Sequence, residues 1–213
     1  MKALALFRPR IAPRVEGCIE DLIDQSVLDT CIDFCERSLV VKRMATSFLT
    51  VASQLAYTLE STSDTSIAHI ARLWCDITEL TPADEDMLRT PFGFVAAVPG
   101  AVSVIARPRF FNQASPGVID LYPTPDKAYT INMRVALKPT RSAVQVDDQI
   151  FEDWIDYIVH GALERLYMMP GGWANPGLAK YHSDQYEIGV NLAITEARKG
   201  SISSQARIIP VRI

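Results

Sequence analysis

Histidine is scarce in this chain: His69, His160 and His182 are the only three in 213 residues. Acid–base pairs and zinc sites draw on histidine first, so little material is on hand for hydrolytic chemistry. No HExxH, GxSxG, GxxxxGK(S/T) or GxGxxG pattern occurs, which removes the usual signatures of metalloproteases, α/β-hydrolases, P-loop NTPases and dinucleotide-binding folds. The four cysteines, Cys18, Cys31, Cys35 and Cys75, form no CxxC pair. A chain of this length needs no disulfide staples, so they read as small core residues of a reducing compartment. Long hydrophobic runs are missing as well. The longest uncharged stretch, residues 90–106, is broken by Pro91, Pro99 and Gly100 and is too short for a bilayer span. The apolar run at 3–7 stops at Arg8, Pro9 and Arg10, short of a secretory signal core.

What is present is an ordinary globular composition, 48% hydrophobic and 22% charged, enough for one large domain or two small ones. Charge is unevenly placed. Residues 1–14 hold Lys2, Arg8, Arg10 and Arg14 without an acid, and residues 198–213 hold Arg198, Lys199, Arg207 and Arg212 without one. With a net charge of −4 and +4 at each end, the body between carries −12. Such a body lacks the clustered Lys and Arg through which a free duplex-binding domain releases counterions. The basic ends read either as arms that dock on acidic neighbours or as solvated termini.

Periodicity divides the chain into a helix, a long β-rich middle and two further helices. Ile19, Leu22, Ile23, Val27, Cys31, Phe34, Cys35 and Leu39 recur at three- and four-residue steps and predict an amphipathic helix over about 19–40. Strict alternation from Tyr129 to Leu137, and again from Leu55 to Leu59, predicts strands with one buried and one wet face. Turn clusters at 61–66, 81–82, 99–100, 115–117 and 123–126 punctuate this region, and a short helix near 83–89 interrupts it. A second long helix is predicted from Asp147-Asp148 to about Met168, its apolar face including Ile150, Trp154, Ile158 and Leu163. Asn175-Pro176 reads as an N-cap followed by proline at the first helical position, starting a third helix that runs to Lys199 with Gly200 as its stop.

The expected fold is therefore α+β: a three-helix bundle with a β-rich antiparallel domain inserted between its first and second helices. The expected division is 1–43 and 140–200 for the helical core, 44–139 for the insert and 201–213 for an extended C-terminal tail.

Candidate chemistry is thin. His160 and His182 can face each other across the helical hairpin, but no acid stands at ligand spacing. Asp147, Asp148, Glu152 and Asp153 could be imagined as a cation site, yet acids crowd the start of a helix for dipole reasons alone. No catalytic, cofactor-binding or metal-ligating residue is assigned, and no cofactor is expected. In the tail, four β-branched apolar residues, Ile208, Ile209, Val211 and Ile213, stand with Arg207 and Arg212 around Pro210. Proline cannot donate to a strand ladder, so this is an edge-type segment. It either folds back on its own subunit or adds to a partner.

An ordered set of motifs carries a family resemblance: Ile32-Asp-Phe-Cys-Glu-Arg-Ser38, Leu121-Tyr-Pro-Thr-Pro-Asp126, Val135-Ala-Leu-Lys-Pro139, Phe151-Glu-Asp-Trp154, Gly161-Ala-Leu-Glu-Arg-Leu166, Met169-Pro-Gly-Gly-Trp-Ala-Asn-Pro176, Leu178-Ala-Lys-Tyr181 and Gly189. Together they resemble the head-to-tail adaptor (connector) proteins of tailed bacteriophages, of tail-tubular or gatekeeper type. The resemblance implies a non-enzymatic structural virion protein at the head–tail junction, made in the host cytoplasm. It further implies a homo-oligomeric ring, usually twelvefold, with portal protein above and tail or nozzle proteins below. DNA would pass through the lumen without specific binding, and no membrane is involved. The alternatives are a small α+β binding module with no assembly role or, less favoured by the residues, a hydrolase-type enzyme.

Overall fold

Where apolar residues recur every three or four positions, the backbone coils and turns that stripe inward. The computed structural model describes residues 1–60, 64–84, 104–115 and 117–199. The chain divides into two compact units, one built from Met1–Val41 and the chain from Asp147 onward, the other from Lys42–Val146.

The first unit begins with a two-residue strand, β1 (Lys2–Ala3), a 3-10 turn (Leu4–Phe7), the short helix α1 (Arg8–Ile11) and a second 3-10 turn (Ala12–Arg14). Helix α2 (Glu20–Ser38) buries Ile23, Val27, Cys31 and Phe34. It ends on Leu39 in the left-handed region at φ 53°, whose amide donates to the Cys35 carbonyl at 3.0 Å. Helix α3 (Asp148–Met168) is capped by Asp147, whose carboxylate accepts from the Gln149 amide at 2.9 Å, satisfying a donor the helix itself cannot. Helix α4 (Pro176–Lys199) starts the same way, with Asn175 accepting from the Leu178 amide at 3.1 Å.

Tyr157 of α3 lies on Gly189 of α4 and Gly161 of α3 lies on Tyr186 of α4, so early α3 meets late α4 and the two run antiparallel. Phe34, fully buried, is where the helices converge: its ring lies 5.5 Å from that of Trp154 and 6.4 Å from that of Tyr186. Leu163 is also fully buried.

The second unit is a pair of sheets around one core. The first sheet contains β2 (Lys42–Met44), β10 (Thr130–Pro139), β5 (Thr65–Cys75) and β6 (Thr78–Glu79) in that order, with β3 (Phe48–Leu49) also pairing with β10. The second runs β4 (Ala56–Thr58), β9 (Val118–Tyr122), β8 (Phe110–Ser115) and β7 (Thr81–Pro82). Leu73, Ile131 and Met133 from the first sheet and Phe111, Ile119 and Leu121 from the second belong to one buried cluster. The alternation read from the sequence holds on β10, where Ile131, Met133 and Val135 point inward. Register shifts after Arg134 and Ala136 bulge β5 against it, bending the sheet. A final strand, β11 (Gln145–Val146), ends this stretch of chain.

The expected three-helix bundle with an antiparallel insert is corrected. The described residues form four α-helices and eleven strands in three sheets, a more β-rich architecture than a bundle with an appendage. The fourth helix was hidden because Pro9 and Pro13 break the N-terminal segment into single turns, too short to register as a periodic run. Leu4, Phe7, Ile11 and Val15 are nonetheless buried at steps of three and four. The second sheet is not purely antiparallel, since β7 pairs with β8 in parallel. Two residues ending in proline carry no alternation from which a strand could be read. Most of the helix expected near 83–89, the stop at Gly200 and the tail at 201–213 lie outside the described residues.

Candidate interaction surfaces

The basic N-terminal segment meets acidic helix surface of its own unit. Arg8 grips Asp24 with two parallel hydrogen bonds, Nε to Oδ1 at 2.8 Å and Nη2 to Oδ2 at 2.7 Å, and also reaches Glu20. Lys2 Nζ stands 2.9 Å from Glu152, and Arg10 pairs with Asp156. Asp147 thus acts as a cap and Asp148, Glu152 and Asp156 as ion-pair partners, and the described residues contain no group of three or more His, Cys, Asp or Glu arranged to hold a metal. Exposed pairs of this kind contribute little each, about 0–1 kcal/mol. Their consequence is positional, fixing the N-terminal turns on α2 and α3. A second clamp joins α2 to α4: Arg37 donates to both oxygens of Glu187, at 2.7 and 2.5 Å, and holds that carboxyl below its ordinary range. Beside it the Tyr186 hydroxyl donates to Asp33 at 2.7 Å.

His160 and His182 do meet, Nδ1 to Nδ1 at 2.6 Å. One Nδ1 must carry the proton and donate while the other accepts. Tyr167 stacks on His182 at 5.5 Å and Tyr181 meets it edge-on at 5.2 Å. Burial lowers both imidazoles; His160 and Arg14 lower His182 further, to about 4, while Asp156 partly offsets the shift at His160. The other thiol and imidazole candidates are scattered. Burial pushes the Cys31 and Cys35 thiols up, Cys35 to about 12, and His69 stands exposed on β5.

One surface was not foreseen. On the solvent face of the first sheet, Arg134 lies opposite Met44 on one side and Arg72 on the other, while Ala136 lies opposite Lys42 and His69. Directly opposed residues of an antiparallel pair share a face. Trp74 and Lys138, two positions along β5 and four along β10, therefore join them. Among the described residues, four cations from three strands share this face with one acid, Glu79, 3.6 Å from Arg72. The linear charge pattern hid it because Lys42, Arg72 and Arg134 are far apart in sequence.

The family model of the SU10 adaptor proteins matches residues 1–208. The chain belongs to this family of phage head-to-tail adaptors. Among curated proteins none matches the sequence. SU10-type adaptors are structural proteins rather than enzymes, so this is a bacteriophage virion protein of the head–tail junction that associates with other head and tail proteins. Of the histidine pair, His182 is buried and His160 half-buried, and no described helix is long and apolar enough to cross a membrane.

The histidine pair makes the adaptor's stability pH-dependent. The folded protein keeps His182 neutral down to about pH 4, whereas an unfolded imidazole takes its proton near 6.5. Between those values the unfolded chain binds more protons, so stability falls as pH drops from about 6.5 towards 4, by at most about 3 kcal/mol. Urea midpoints measured at pH 7.5 and pH 5 should show the loss. The slope should be much reduced in His182→Phe; an unchanged slope would place the titration elsewhere.

Proposed function

We propose that the adaptor acts as one subunit of a homo-oligomeric ring, twelvefold, stacked between portal and tail with a lumen through which DNA passes. The observation that carries this reading is the family match over residues 1–208. Portal protein binds above and tail or nozzle proteins below. DNA is conducted rather than gripped, since the body of the chain is acidic overall and acidic walls repel phosphate. The C-terminal segment, Arg207, Ile208, Ile209, Val211, Arg212 and Ile213, serves as the docking arm, adding as an extended strand to the portal or a neighbouring subunit. Apolar β-branched residues flanked by arginines are poorly suited to a solvated tail and well suited to a site with acidic edges.

Electron microscopy of the full chain mixed with portal particles tests the ring directly through its rotational symmetry. Deleting residues 205–213 should leave the subunit folded, with its melting temperature unchanged, and weaken attachment to portals. A truncated chain that decorates portals as the full chain does would remove the arm from the mechanism.

A further inference from the structure

We infer that the solvent face of the β2–β10–β5 sheet, centred on Arg72, Arg134, Trp74 and Met44, docks a second copy of this chain through the acidic stripe of its helix α2. The inference rests on the ring reading and specifies one of its contacts. The composition of the face is the first argument. Met44 is 62% exposed and Arg72 and Arg134 are exposed, around a half-buried Trp74. Arginine, tryptophan and methionine are the residues enriched at protein–protein contacts, where a large flat side chain is desolvated within a charged surround. Electrostatics add the second argument. Lys42 is pushed below its ordinary range by burial and by the charges of Arg134 and Arg72, so like charges are held together on this face. An acidic partner relieves that repulsion.

Charge complementarity identifies the partner. The second unit carries ten Lys and Arg against nine Asp and Glu, while the rest of the chain carries eleven against sixteen. On α2, Asp21, Gln25, Asp29 and Glu36 fall within one quarter-turn of the helix, and Asp21, Gln25 and Glu36 are exposed. From Asp21 to Glu36 the stripe is about 22 Å long at 1.5 Å per residue. From Arg134 to Lys138 along β10, and from β2 across to β5, the basic face measures about 10–13 Å in each direction, so it fits within the stripe. A basic face on one unit and an acidic stripe on the other make a heterologous pair, the type that closes into rings when repeated.

The test uses charge reversal in the full chain, with oligomer mass read by light scattering, with and without portal particles, and folding checked by melting temperature. Arg72→Glu with Arg134→Glu should stay folded and self-associate at least about tenfold more weakly, because like charges now face each other. Asp21→Lys with Glu36→Lys should do the same. The chain carrying all four substitutions should regain assembly, since the complementarity is restored with both signs exchanged. If the wild-type chain forms no oligomer under either condition, the ring reading itself fails and takes this contact with it. If the wild type assembles and the R72E/R134E chain assembles equally well, the ring stands and this contact is wrong. Salt-sensitive binding of duplex DNA that is lost in R72E/R134E, without rescue of assembly by the fourfold change, would make the face a nucleic-acid surface and overturn the inference.

Discussion

Replacing Gly189 by Val should destabilise the adaptor by about 3 kcal/mol or more, visible as a large drop in the urea midpoint. A Cβ at this position would lie 2.5 Å from both Cβ and Cδ1 of Tyr157, a separation that real Cβ atoms do not tolerate. The packing of α3 against α4 leaves no slack, because the two meet again at Gly161, where a Cβ would stand 2.8 Å from Tyr186 Cδ2 and, on α2, 2.5 Å from Thr30 Cγ2. Helix propensity pushes the other way but only by about 0.5 kcal/mol for Gly to Val, against about 1–3 kcal/mol or more for overpacking a filled interior. Sterics win. Gly172→Ala is the control, since nothing lies within 4 Å of a Cβ there and its midpoint should barely move. A Gly189→Val chain as stable as the wild type would mean that α3 and α4 do not pack in this register.

Phe34→Ala should cost about 3–5 kcal/mol. Its ring is fully buried at the junction of α2, α3 and α4, against Trp154 and Tyr186. Truncation removes the aromatic contacts and leaves a cavity bounded by three helices already fixed by other contacts, so collapse is limited. Set beside a typical domain stability of about 5–15 kcal/mol, that loss removes a large share of the margin. Phe34→Leu keeps most of the volume and should cost less than about 1.5 kcal/mol. A double-mutant cycle with Trp154→Phe isolates the ring contact, expected at about 0.5–1.5 kcal/mol. Trp154 suits this use because its buried Nε1 has no hydrogen-bond partner among the described residues, so its removal forfeits no bond. If Phe34→Ala and Phe34→Leu melt together with the wild type, the junction is not where stability is stored.

Both substitutions strike positions whose importance is invisible in one dimension. The sequence by itself determined the local elements with strong periodicity. The spans of α2, α3 and α4, the Asn175 cap and the alternation of β10 appear where they were read, because each is set by neighbours within about four residues. The ordered motifs along the chain also carried the family. The fold class was misjudged for a physical reason. Proline-broken turns at the N-terminus and strands of two residues are held by distant partners, so α1, its flanking 3-10 turns and the parallel β7–β8 pair leave almost no local signal. Surfaces followed the same divide. Basic N-terminal residues were legible as a cluster, but that they close on Asp24, Glu152 and Asp156 required the packing of helices. Alternation alone placed Arg134 on the wet face of β10; only the observed strand and its register added Lys138, Lys42 and Arg72. Charge is a property of residues, whereas a charged surface depends on which strands lie side by side, and that is decided by the whole chain's burial of its apolar faces.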